Sequence, residues 1–141
     1  MRVVLDTNVI IRAIRTPGGA SAMLVVEALQ GRITPLVSTA LGLEYEAVAM
    51  RTEHWVQLGF GRSDAERFLD ALAAVAEPVE ISFRWRGSLP DANAEMVLEA
   101  ALNGAADALV TFNQRHFEAP AAQFSLALRT PAAILAHLRS P

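Results

Sequence analysis

The 141-residue chain contains no cysteine. Disulfide frameworks, cysteine-based zinc sites and thiol nucleophiles are thereby excluded. It contains no lysine either, and all 12 basic residues are arginines. That removes the phosphate-gripping lysine of a Walker loop, Schiff-base chemistry and any mechanism that turns on an amine. No apolar run approaches the roughly 18 residues that span a bilayer. The opening stretch, Met1 to Asp6, is too short and too soon charged for a secretory leader. The expected setting is the cytoplasm, with no membrane partner. Net charge is −3, which argues against holding nucleic acid by bulk charge and leaves room for a local basic rim.

Apolar residues make up 52% of the chain and charged residues 19%. Disordered chains have the opposite balance. A folded chain of this size buries about two-thirds of its surface, enough for one core, so a single domain over 1–141 is expected. There is no internal repeat and no linker-like tract.

Residues Arg2 to Asp6 read as a buried strand ending on a carboxylate. Thr16-Pro17-Gly18-Gly19 is a turn signal. Ser21 is placed to cap a helix reaching Gln30, with Gly31 as its stop. Thr34–Val37 predicts a short strand, and Ser38 a cap for a helix through Glu44 to about Met50. Ser63 with Glu66 predicts a capping box, followed by a helix burying Phe68, Leu69, Leu72, Val75 and Ala76. Pro78 closes that helix, and Val79–Ser82 predicts a strand. Arg84–Pro90 reads as a loop, and Ala92–Asn103 as a helix stopped by Gly104. Ala108–Thr111 and Phe124–Leu128 predict two further strands, and Thr130-Pro131 opens a last helix. Strands alternating with helices predict an α/β/α sandwich on a mostly parallel sheet.

In such sheets, ligands sit beyond the carboxyl ends of the strands. That rule selects Asp6 and Asn113. Asp6 alone could equally cap a turn with Thr7 and Asn8. Glu44 alone could be a solvated helix residue, although Glu46 suits that role better. Asp91 and Glu95 share a helix face that Glu99 continues, and acids there also serve a helix dipole. Taken together, these residues put oxygen donors at the ends of several elements, as hard cations such as Mg²⁺ or Mn²⁺ require.

The order Val3-Val4-Leu5-Asp6-Thr7-Asn8, Glu44-Tyr45, Leu89-Pro90-Asp91 with Glu95 to Ala101, and Ala106 to Asn113 resembles the PIN domain. Within that family it is most similar to VapC-type toxins of bacterial toxin–antitoxin pairs. The resemblance implies a PIN-like α/β/α fold, a metal-dependent endoribonuclease hydrolysing phosphodiesters with a metal-bound water, a homodimer, and an antitoxin partner. It implies Asp6 as the first metal-holding acid and Glu44 as the second. The third comes from the run Asp91-Ala92-Asn93-Ala94-Glu95, whose outer positions are acidic. The fourth position is Asn113, which lacks the usual charge. The resulting site set is Asp6, Glu44, Asp91 and Glu95 as metal ligands, with Asn113 a neutral contributor. A two-metal mechanism needs both ions fixed. With Asn93, Ala94 and Asn113 uncharged, one ion and weak activity are expected. A module that binds RNA or an antitoxin without cutting is the alternative.

Thr7, Asn8 and Thr111 would orient ligands or water, or simply close strand-end hydrogen bonds. Arg12 and Arg115 are candidates for RNA phosphate contact, and Trp85 between Arg84 and Arg86 for base stacking. His54, His116 and His137 have no zinc-like spacing. Met23 to Val26 with Leu29 reads as core, or as a face for an antitoxin helix. A phosphatase of the haloacid dehalogenase type would need an acid at position 8 and a lysine; position 8 is Asn8.

Overall fold

The computed structural model describes residues 1–51, 59–85 and 89–140. The predicted positions His54 and Arg86 lie outside the described residues.

The chain opens with β1 (Arg2–Leu5), α1 (Thr7–Arg15), α2 (Ala20–Leu29), β2 (Thr34–Ser38) and α3 (Thr39–Ala49). It continues with α4 (Arg62–Val75), β3 (Glu77–Val79), α5 (Ala92–Asn103) and β4 (Ala108–Val110). A 3₁₀ turn (Gln114–Phe117), α6 (Glu118–Phe124), β5 (Ala127–Arg129) and α7 (Pro131–Arg139) complete it. The strands form one five-stranded sheet, ordered β3-β2-β1-β4-β5, with every pairing parallel. Helices cover both faces, giving the α/β/α sandwich expected. Val3, Val4 and Leu5 of β1 and Ala108, Leu109 and Val110 of β4 are at most 1% exposed. Continuous apolar runs of this kind are what a sheet covered on both faces requires.

Several local signals act as their chemistry predicts. Ser38 Oγ accepts the Leu41 N–H at 3.1 Å and starts α3. Thr130 Oγ1 accepts the Ala133 N–H at 3.2 Å, with Pro131 as the first residue of α7. Gly104 follows α5 at φ −88°, so it is not a left-handed cap. It is needed for close approach: a Cβ there would come within 2.9 Å of both Leu36 Cδ1 and the Ala100 carbonyl oxygen.

Other elements differ from the sequence reading. Helix α1 was not expected; its buried Val9, Ile10, Ala13 and Ile14 face the core with helical spacing. Helix α4 is capped at Gly61, whose N–H donates to Asp64 at 2.8 Å, and not at Ser63. Glu66 instead pairs with Arg62 on the surface. Gly19, not Ser21, precedes α2. Strand β3 is earlier than predicted and includes Pro78, which an edge strand tolerates because its missing N–H need not join a ladder. Phe124 ends α6 and does not begin a strand, because Ser125 takes a left-handed φ of 54°. Of the run Met23 to Val26 with Leu29, Leu24 and Val25 are buried in the core as expected, whereas Met23, Val26 and Leu29 are 40–47% exposed.

Candidate functional site

Strands β1 and β4 lie side by side at the middle of the sheet. From β1 the chain crosses toward β2 and β3; from β4 it crosses the other way, to β5. Connections leaving in opposite directions open a crevice beyond the carboxyl ends of these two strands. Asp6 follows β1 there, and Thr111-Phe112-Asn113 follow β4.

Asp6 occupies the N-cap position of α1, yet its side chain makes no capping hydrogen bond. The carboxylate turns instead to the Thr111 hydroxyl, which donates to Asp6 Oδ2 at 2.7 Å. The N–H groups of Thr7 and Asn8 also lie against the carboxylate, as the turn alternative expects, so Asp6 serves the turn and faces Thr111 at once. Burial pushes the Asp6 carboxyl up from the usual carboxylate range, and the nearby negative charge of Asp91 adds to the rise. The Thr111 hydroxyl and the N–H groups of Thr7 and Asn8 work against it.

Three consecutive residues at this strand end are each tied to a different element. The Tyr45 hydroxyl of α3 donates to the Leu5 carbonyl. Thr111, after β4, donates to Asp6. Asn93 Nδ2 of α5 donates to Thr7 Oγ1 at 2.7 Å. Each tie brings a neighbouring site residue with it: Glu44 beside Tyr45, Asn113 beyond Thr111, and Asp91 ahead of Asn93. Asp91 caps α5, its Oδ1 accepting the Ala94 N–H at 2.8 Å.

The result is a cleft of about 220 Å³ lined by Asp6, Thr7, Asn8, Glu44, Asp91, Asn93 and Asn113, with Arg51 and His116 on its wall. Of the predicted residues, Glu95 does not line it; the α5 positions that do are Asn93 and Ala94. Thr111 is fully buried, so it can reach Asp6 but no substrate. Arg12 is outside the lining, with its guanidinium carbon 5.0 Å from the centroid of the Phe112 ring. Arg115 lines an adjoining groove. Trp85 is half-buried, edge-on to Phe124 at 5.3 Å between centroids, and its backbone N–H donates to Glu99. It belongs to an aromatic ledge with Phe83 and lines no part of the cleft.

Sequence reasoning missed Arg51, which follows the end of α3 and has no local signal that points it at the cleft. It also missed the roles of Tyr45 and Asn93, which depend on contacts across 40 and 86 residues.

Among the described residues, no three acidic or imidazole groups make a ready-made metal cluster. The donors that line the cleft are nonetheless mostly oxygen: the carboxylates of Asp6, Glu44 and Asp91 with the amides of Asn8, Asn93 and Asn113 and the Thr7 hydroxyl. Asn8 Oδ1 is buried with no hydrogen-bond donor. An orphaned carbonyl oxygen in a polar cleft is a place for a water or a hydrated ion. This donor set fits a single hard cation that keeps part of its water shell.

A family model described as the PIN domain matches residues 2–115. Among solved structures, the chain is similar to the crystal structure of VapBC2 from Rickettsia felis bound to a DNA fragment from their promoter. The identity is 17% and the TM-score 0.57, over 92% of this chain and 98% of that one. A comparison with curated proteins finds no match.

Proposed function

The chain belongs to the PIN domain family, whose members are generally nucleases, and from that premise we propose that it is a metal-dependent endoribonuclease acting as the toxin of a toxin–antitoxin pair. The observation that carries the reading is the convergence of Asp6, Glu44 and Asp91 on one cleft at the switch point of the sheet. Those three residues would hold one Mg²⁺ or Mn²⁺. When bound, such an ion activates water and neutralises charge developing on a phosphodiester.

The protein's own groups do the rest. Thr111 donates to Asp6 and favours its ionised form, which a cation requires. Tyr45 fixes α3, and so Glu44, against the end of β1. Asn113 offers a neutral amide at the cleft, able to position water or a phosphate oxygen. Arg51 adds positive charge, and His116 a ring nitrogen able to hydrogen-bond, on the wall where a phosphate would lie. Glu95, away from the lining, is assigned no ligand role.

The solved neighbour is a VapBC2 assembly on promoter DNA, which supports an antitoxin partner here. The exposed stripe of Met23, Val26 and Leu29 on α2 supports an apolar interface, with the antitoxin or between two copies in a homodimer. We place the protein in the cytoplasm, where such a substrate and partner are met.

A second reading has its own support. With Asn93 and Asn113 at the cleft and no compact acid triad among the described residues, the chain could bind RNA or an antitoxin without cutting. Cleavage of mixed structured and single-stranded RNAs, with Mn²⁺, Mg²⁺ or chelator, separates the two. The nuclease reading expects metal-dependent cutting by the natural protein that Asp6→Asn abolishes. Cutting by Asn113→Asp or Asn93→Asp alone would establish the second reading.

A further inference from the structure

Phe112 is unusual among the exposed apolar residues. Phe83 and Phe124 pack on each other and on Trp85, and Met23, Val26 and Leu29 form one helix stripe. Phe112, 41% exposed, stands among polar groups. It lines a groove with Asn113, Arg115, His116 and Thr130, and this groove shares Asn113 and His116 with the carboxylate cleft. The two spaces are neighbours that meet at these two residues.

The ring is held in place. Before it, the Thr111 N–H donates to the Arg129 carbonyl at 3.0 Å. After it, the Asn113 N–H donates to Thr111 Oγ1 at 2.9 Å. The Arg12 guanidinium lies over the ring at cation–π distance. The Arg12 contact uses part of the ring, and the part left exposed is open to a ligand. An aromatic face beside guanidinium groups is what an unpaired base and its phosphate require.

We propose that Phe112 is a base-stacking platform for single-stranded RNA, receiving a nucleotide next to the one whose phosphate lies in the carboxylate cleft, with Arg115 contacting the backbone between them. Its substrate class rests on the nuclease reading; the platform itself rests on the groove. Arg12 orients the ring and carries positive charge beside it. Duplex RNA keeps its bases stacked internally and cannot use the platform.

The test is binding of a short, fluorescein-labelled, mixed-sequence single-stranded RNA, followed by anisotropy in chelator and again in Ca²⁺. A gel confirms intact RNA after each titration. Phe112→Leu keeps an apolar side chain and loses the aromatic face; Phe112→Trp keeps the face. The proposal expects Phe112→Leu to raise Kd by about 5- to 150-fold, the range that stacking one base supplies. It expects Phe112→Trp to bind at least as tightly as the natural protein. Phe112→Leu should leave the salt dependence unchanged, whereas Arg115→Ala should lower the slope by about 0.7, the value for one phosphate on a single strand. Equal binding by Phe112→Leu and the natural protein would overturn the proposal. So would equal weakening by the Leu and Trp variants, or no single-stranded RNA binding by the natural protein. Binding that depends on Phe112 without metal-dependent cutting would reject the nuclease reading and leave the platform standing.

Discussion

Two buried carboxylates, Asp6 and Glu99, are 5% and 3% exposed, yet they stand in opposite surroundings. Glu99 faces the ledge formed by residues 82–85. Its Oε2 accepts the Trp85 N–H at 2.8 Å, and Asn103, one turn on, accepts the N–H groups of Ser82 and Phe83. These carboxylate and amide groups hold a loop, and Glu99 lines no part of the cleft. Asp6 accepts the Thr111 hydroxyl, opens onto a cleft, and has Asp91 near enough to raise its pKa. Burial of an acid therefore does not by itself mark a site. An acid near a second acid on a polar crevice, as Asp6 is near Asp91, is the better candidate for holding a ligand.

The largest expected difference between the two is in activity. Asp6→Asn should reduce metal-dependent RNA cleavage by about 100-fold or more, since loss of a ligand exceeds the 10- to 100-fold typical of its supporting groups. Glu99→Gln should leave the rate unchanged. Initial rates on one RNA at saturating Mn²⁺ make this comparison. Next comes Thr111→Val, which removes the donor to Asp6 but no ligand. A rate loss of about 10- to 100-fold is expected, with a higher Mn²⁺ concentration needed for half-maximal rate. If the valine variant cuts as well as the natural protein, Thr111 has no positioning role.

Stability should reverse the order. Glu99→Ala strands the Trp85 N–H and should cost about 2–3 kcal/mol in urea unfolding, with the activity of the folded protein intact. Asp6→Asn should stabilise the metal-free protein at pH 7. The sign follows from the raised carboxyl pKa: Asp6 contributes its stability fully below the ordinary carboxylate range, and that contribution is lost as pH rises through the raised value. The melting temperature of Asp6→Asn in chelator should therefore exceed the natural one at pH 7, with the gap closing below about pH 4. Smallest is Tyr45→Phe, which loses one hydrogen bond to the Leu5 carbonyl and should cost about 1 kcal/mol, with a modest fall in rate as Glu44 loosens.

Much of this was legible in sequence because it is local. A β-branched apolar strand ending in Asp6, the caps Ser38 and Thr130, and the helix from Ala92 to Asn103 each announce themselves within a few residues. Helix α1 does not: Val9, Ile10, Ile11 and Ile14 follow β1 without a loop, and β-branched residues read as strand. Pro78 and Phe124 misled for a related reason, since an edge position and a left-handed Ser125 decide them from outside their own windows. At the site, Asp6 and Asn113 follow from the rule for parallel strands, whereas Glu44 and Asp91 rest on motif order. The choice of Asn93 over Glu95, and the ties from Tyr45, Thr111 and Asn93 to residues 5–7, depend on register between distant elements. Residue spacing carries no such information.

The central claim is that one divalent cation binds where Asp6, Glu44 and Asp91 converge. Mn²⁺ titration followed by electron paramagnetic resonance tests it without relying on any RNA. The account predicts saturable binding of one ion per chain, lost in Asp6→Asn and retained in Glu99→Gln. No saturable binding, or binding that Asp6→Asn leaves untouched, would contradict it.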